Sequence, residues 1–286
     1  MTDLHTPTDH TSPRTQHRAA IDPNQTGRDP GSRVARAVWI ALGGILAIAA
    51  LAWGTYSVIS VLAHAEHTER STFSSDDVSA LAVSNESGSV TITATPGDTV
   101  TVVAKVSDGW QTTDMSMQVV DGVLELNTDC PAFVSPWCNV DFTVAIPADR
   151  PVTVDGSGSV RVRGMSAPID IDSDDGRLEL DDISGDIRVS NDDSSIVGRR
   201  LTASRVDARN TNGRIELSFL EPPQSVSASV ENGSIEVVVP DSEVLYRVEM
   251  DTGNGGTDNL VRTDPNSDHV IDLSTDNGSI TVRPPG

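Results

Sequence analysis

The sequence predicts an all-β fold: a β-solenoid of stacked short rungs, exported behind a single N-terminal transmembrane helix. Three observations lead there. One long apolar run lies near the N-terminus, aliphatic and polar residues alternate two by two after it, and the alternation recurs every 17 to 20 residues.

The apolar run extends from Ala37 to Ala63, 27 residues without Asp, Glu, Lys, Arg or His. As a helix it measures about 40 Å, more than the ~30 Å hydrocarbon core of a bilayer requires. Trp39 near one end and Trp53 and Tyr56 near the other suit interfacial anchors. Arg28, Arg33 and Arg36 precede the run while Glu66 and Glu69 follow it, so the positive-inside rule leaves residues 1–36 in the cytoplasm and exports the remainder. Ala63-His64-Ala65 has the small-x-small form of a cleavage site. The long polar leader and the length of the run nevertheless exceed those of a secretory signal, and an uncleaved anchor is expected. Residues 1–36, polar and without apolar period, read as a disordered tail. Residues 64–75 read as a linker and 76–286 as the exported domain.

Beyond Ser71 the chain is rich in Val, Ile, Thr, Ser and Asp, and turn signals such as Asn-Gly and Asp-Gly punctuate it. Paired aliphatics at Val152/Val154, Ile169/Ile171, Ile187/Val189, Val206/Ala208 and Val226/Ala228 mark one strand of each repeat. A second series runs Val160/Val162, Leu178/Leu180, Ile196, Ile215/Leu217 and Ile235/Val237, and a third runs Met165, Ile183, Leu201, Phe219. Three markers holding one period describe units that bury their apolar face only by stacking, hence regular rungs over about residues 151–240. An antiparallel β-sandwich is the alternative, because Asn212-Gly213 and Asn232-Gly233 are also hairpin signals. In a solenoid, Asp155, Asp175, Asp193, Asn212 and Asn232 are expected to form one ladder along an edge.

The succession Ile146-Pro147-Ala148-Asp149, then Val152-Thr153-Val154-Asp155-Gly156-Ser157-Gly158-Ser159-Val160, then repeated turn-Gly-Ser/Arg-aliphatic units, resembles the bacterial putative-adhesin β-strand repeat family over roughly residues 80–285. The resemblance implies a cell-envelope location and a role left undefined by the family. It carries over no functional residue, since the shared positions are turn and core positions.

Chemistry is sparse in the pattern. The chain carries 20 Lys and Arg against 42 Asp and Glu, a formal charge of -22, which excludes nucleic-acid binding by phosphate neutralisation. Residues 64–286 alone hold a net -23. That excess keeps a repetitive β surface soluble and is expected to repel anionic envelope polymers unless cations bridge them. Cys130 and Cys138 bracket a loop containing Phe133 and Trp137; after export they should form a structural disulfide, and the loop is a candidate contact surface. Asp251-Thr252-Gly253 matches the tripeptide of aspartic proteases but has no second copy to share a proton. The stretch from Asp170 to Gly176 departs from an EF-hand in the place of its glycine and of its last acid. His269 is the one histidine within the repeat region. The sequence therefore predicts no catalytic residue, no cofactor, no metal and no nucleic-acid partner. It predicts a noncatalytic single-pass membrane protein whose exported repeat domain is a scaffold or binding surface for an unidentified envelope protein or glycan. A glycan-acting enzyme on a β-helix, or an envelope-stress signalling component, are the alternatives.

Overall fold

The computed structural model describes residues 30–62, 65–108, 113–130 and 138–286. Most of the expected tail, the Ala63-His64 pair and the loop bearing Phe133 and Trp137 lie outside the described residues. The first element is α1 (Pro30–Leu62), within which Arg36–Thr55 is long and apolar enough to cross a membrane; its side chains are buried nowhere in the protein. The helix begins before Ala37, with Pro30 in its first turn, where a missing N–H costs nothing.

Sixteen strands follow among the described residues, and most belong to rungs of two arms. In chain order these are β1 (Ala65–Ser74), β2 (Ala80–Asn85), β3 (Val90–Ala94), β4 (Thr99–Asp108), β5 (Asp114–Val120), β6 (Val123–Asp129) and β7 (Asn139–Ile146). Then come β8 (Val152–Gly156), β9 (Val160–Arg163), β10 (Ile169–Asp175) and β11 (Leu178–Asp181). The last five, β12 (Ile187–Leu201), β13 (Arg205–Phe219), β14 (Ser225–Val238), β15 (Arg247–Asn259) and β16 (Val270–Arg283), each run through both arms of a rung. Rung-to-rung pairing is parallel and, apart from one shift between β12 and β13, in register, for example Ile169↔Ile187, Ile187↔Val206, Val206↔Val226 and Val226↔Ile271. The domain is thus β-solenoid-like. The Asn-Gly pairs are corners inside continuous parallel strands, with Gly213 opposite Gly233, and the antiparallel sandwich does not form.

The stack is longer than the regular period suggests, and chain order breaks at both ends. First arms follow the order β6, β2, β8, β10, β12, and second arms the order β7, β3, β9, β11, β12. The earliest rung, β2 with β3, therefore sits inside the one that follows it. At the other end β16 inserts between β14 and β15. Residues 64–75, expected as a linker, are corrected: Ala65–Ser74 pairs antiparallel with β4, which itself pairs antiparallel with β7. The strand escaped the alternation test because Phe73, which packs against the core, is its one large apolar residue. Together with β5, antiparallel on β6, these strands cap one end. At the other end β15 pairs only with β16, and Arg247, Glu249, Asp251 and Asp258 charge this edge against further pairing.

Alternate residues of both arms point inward. Val154, Ile171, Val189, Ala208, Ala228 and Leu273 from first arms, and Val162, Leu180, Leu217, Val237 and Val282 from second arms, are each no more than 3% exposed. Met165, Ile183, Leu201 and Phe219 close the third side of this aliphatic core. At the corner runs a buried column of Ser173, Asn191, Asn210 and Thr275, interrupted by Val230 between the last two. Asn210 donates through Nδ2 to the Ser194 carbonyl at 2.8 Å, fixing the bend of the chain.

Outside this column lies the expected ladder, in altered form. Asn212 donates to Asp193 (2.8 Å), Asn232 to Asn212 (3.2 Å), Asn277 to Asn232 (3.0 Å) and Asn254 to Asn277 (3.1 Å). Asp175 faces Asp193, but Asp155 faces Asp172 and stands outside the ladder. The four hydrogen bonds all run toward Asp193, whose carboxylate can only accept.

An arginine-lined groove as candidate functional site

Outward positions divide the charge of the domain unevenly. The first arms present Asp155, Asp170, Asp172, Asp207, Glu249 and Asp272, with Arg188, Arg205, Arg209 and Arg247 among them. The second arms present Arg161, Arg163, Arg199, Arg200, Arg214 and Arg283, joined by Arg177 just before β11, against Asp141, Glu179, Asp181, Glu216, Glu236 and Asp258. Parallel register sets these charges side by side: Arg161 opposite Glu179, and Arg163 opposite Asp181, which in turn faces Arg199. Ion pairs follow at 2.5 Å for Arg161–Glu179, 3.2 Å for Arg163–Asp181, 2.8 Å for Arg200–Asp181 and 2.7 Å for Arg283–Glu236. The Arg161 hydrogen bond, helped by the charges of Arg161, Arg177 and Arg199, holds the Glu179 carboxyl below its ordinary 4.5 against the opposing effect of burial. Arg199 makes no ion pair among the described residues.

A local irregularity shapes this face. Between Gly198 and Leu201 the register of β12 against β13 shifts, so Arg199 and Arg200 both point outward on consecutive residues, Arg200 at φ 50°. Leu201 fills the space that a Gly198 side chain would need, its Cδ1 lying 2.8 Å from where a Cβ would stand. Val197 takes the outward place held by Glu216 on the next rung, and at 5% exposure it becomes a floor. Over it lies a groove of about 660 Å³, walled by Arg177, Arg199, Arg214 and Glu216 and edged by Ser194, Ser195, Ser234 and Ser279. An adjoining hollow of about 450 Å³ shares Val197, Arg199 and Glu216 and reaches Arg200 and Arg283. Positive charge around the first hollow exceeds negative by three arginines to one glutamate. A hollow of about 490 Å³ over the first arms has no such excess, because Asp170, Asp186 and Asp207 line it beside Arg188 and Arg205.

The residues singled out in the sequence fall elsewhere. Cys130 and Cys138 form a disulfide, Cα atoms 5.8 Å apart, tying the end of β6 to the start of β7. Closing nine residues contributes about 2.5 kcal/mol in the chain-entropy model. Asp251-Thr252-Gly253 lies within β15 on the outer edge of the stack. His269 places Nδ1 2.7 Å from the Pro223 carbonyl and its ring edge-on to Tyr246 at 6.0 Å, a packing role. Among the described residues no group of three or more His, Cys, Asp or Glu side chains is placed to hold a metal ion. The groove was missed because arginines 15 to 22 residues apart look scattered until the rungs bring them together.

A family model described as Toastrack DUF4097 matches residues 72–283. The chain belongs to the Toastrack DUF4097 family. The match takes in the end of β1 and every later strand, so the family domain is the whole stack. Solved structures similar to this Toastrack domain include a putative adhesin from Bacteroides fragilis NCTC 9343 (14% identity, 77% of this chain and 97% of that one, TM-score 0.41). Others are a putative cell adhesion protein from Clostridium sporogenes ATCC 15579 (11%, 77% and 100%, TM-score 0.37) and a putative lipid binding protein from Parabacteroides distasonis ATCC 8503 (12%, 76% and 96%, TM-score 0.30). No curated protein matches the Toastrack chain.

Proposed function

We propose that this protein is a noncatalytic, single-pass membrane protein whose Toastrack solenoid is exported and serves as a binding scaffold in the cell envelope. The observation that carries this reading is the coupling of two surfaces in one chain. The segment Arg36–Thr55 is apolar with its side chains unburied, and a long stack follows it whose rungs repeat one inward aliphatic pattern beneath a polar surface. A helix hydrophobic all round needs a bilayer to cover it. A stack of repeated rungs offers an extended surface rather than a single cleft, which suits scaffolding. Arg28, Arg33 and Arg36, ahead of the apolar run, support a cytoplasmic N-terminus by the positive-inside rule. The disulfide accords with an oxidising compartment.

The sharpest competitor is a glycan-acting enzyme on the same fold, and one experiment separates the two. The purified full chain in neutral detergent, incubated with a cell-envelope fraction, is expected to sediment with it while generating no new reducing sugar ends. Reducing ends that accumulate in proportion to protein would replace the scaffold with a hydrolase. Failure to sediment would remove the binding role.

A further inference from the structure

We propose that the arginine groove of the second arms is a binding site for an anionic glycan, a chain carrying carboxylates or phosphodiesters among sugar hydroxyls. The proposal names the ligand of the scaffold described above and rests on that reading. Three guanidinium groups converge on the hollow above Val197. Arg177 and Arg214 stand two rungs apart in one column with the Ser195 rung between them, and Arg199 lies beyond Val197 on that middle rung. Arg177 and Arg214 therefore stand roughly 10 Å apart at their strands. Glu216 engages Arg214 at 2.8 Å through Nη1, and Glu179 lies 3.7 Å from Nη1 of Arg177. Arg199, although opposite Asp181 in register, makes no ion pair among the described residues, and a guanidinium has five N–H donors in a planar fork that fits a carboxylate or phosphate edge.

The setting decides which anion. The protein as a whole is strongly acidic, so a face with more arginine than acid is a local exception that its own field does not explain. A flat bilayer surface fits poorly, since the groove is concave and its one apolar lining side chain, Val197, lies at the floor with 5% exposure and cannot insert among lipids. Ser195 and Ser234 flank Arg214 in its column, Ser234 accepting from Nε of Arg214 at 3.2 Å, and Ser279 also lines the groove. Alternating hydroxyls and guanidinia match sugar hydroxyls interspersed with acidic groups, and the groove runs across successive rungs, so an extended chain can lie along it. This revises the expectation that the acidic domain repels anionic polymers: the repulsion belongs to the first arms.

The test uses the full chain in neutral detergent, with oligogalacturonates as the acidic glycan, malto-oligosaccharides as the neutral one, and vesicles containing phosphatidylglycerol. Binding of oligogalacturonate that weakens with salt, and none of malto-oligosaccharide, is expected. The triple variant Arg177→Gln, Arg199→Gln, Arg214→Gln should lose affinity by about tenfold or more. Arg188→Gln, Arg205→Gln, Arg209→Gln, which removes the same charge from the other arms, should bind as the parent does. Both variants are accepted only with parental melting curves; if the first triple melts early, Arg199→Gln alone, which breaks no ion pair, must show the loss. Equal losses in both triples, no oligogalacturonate binding, or capture by anionic vesicles alone overturn the glycan proposal. Sedimentation with the envelope fraction would survive any of these, so the scaffold reading and its ligand fail separately.

Discussion

Gly233→Ala is expected to lower the stability of the domain by about 3–5 kcal/mol. Gly233 adopts φ 152° at the corner of β14, and a Cβ there would stand 1.6 Å from the Gly213 carbonyl oxygen of the preceding rung. Gly278 repeats the relation one rung on, its Cβ position 1.6 Å from the Gly233 oxygen, and Gly255 repeats it against Gly278 at 1.5 Å. The obstacle is backbone held by parallel hydrogen bonds on both sides, so no side-chain rotation relieves it. Relief requires the rungs to separate. Gly256 is the matched control: nothing lies within 4 Å of its Cβ position, and Gly256→Ala should change stability by less than about 0.5 kcal/mol. Thermal melting reads the difference at roughly 2–4 °C per kcal/mol. A Gly233→Ala loss below about 1 kcal/mol would mean that the corners are not held at this spacing.

Phe142→Ala should cost about 3–5 kcal/mol, the range for deleting a buried aromatic ring. Phe142 is 0% exposed in β7, opposite Val90 of the parallel stack on one side and Ala104 of the antiparallel cap on the other. It stands where two pairing patterns meet, and neither neighbour is large enough to fill the vacated space. The loss should appear in denaturant as a lower midpoint. If the midpoint falls while the slope also falls, the cap of β1 and β4 has come away first, because less surface then remains to be exposed in the main transition. An unchanged midpoint would contradict the burial of this ring.

Legibility in the sequence followed the local pattern. Rungs from Val152 to Val238 were readable because inward residues recur at a fixed step and their neighbours in sequence are neighbours in space. The outer rungs carry the same alternation, as at Val90/Ile92 and in Thr275–Val282, but their place in the stack was not readable, because β4 and β5 lie between the first two and residues 239–269 intervene before β16. Nothing local in Val270–Arg283 states that it pairs with β14 ahead of β15; that order depends on competition between two similar strands for one edge. Asp155 shows the same limit on a smaller scale. It follows Val154 as Asp172 follows Ile171, so register places it opposite Asp172, whereas its closeness to a glycine suggested the corner. The disulfide was legible from the short spacing of Cys130 and Cys138 after an export segment. The arginine groove was hidden because average composition records only the acidic excess. Its signal lies in register, with Arg161, Arg177, Arg199 and Arg214 in or beside the second aliphatic series.

Protease digestion of cells stripped to the cytoplasmic membrane tests most directly whether an exported solenoid is held by one uncleaved span. With epitopes at both ends of the full chain, the account predicts that external protease removes the C-terminal epitope and leaves a membrane-bound fragment carrying the N-terminal one. Protection of the C-terminal epitope until the membrane is broken would contradict the orientation. Recovery of a domain beginning after Ala65, free of the membrane and without added protease, would contradict the anchor.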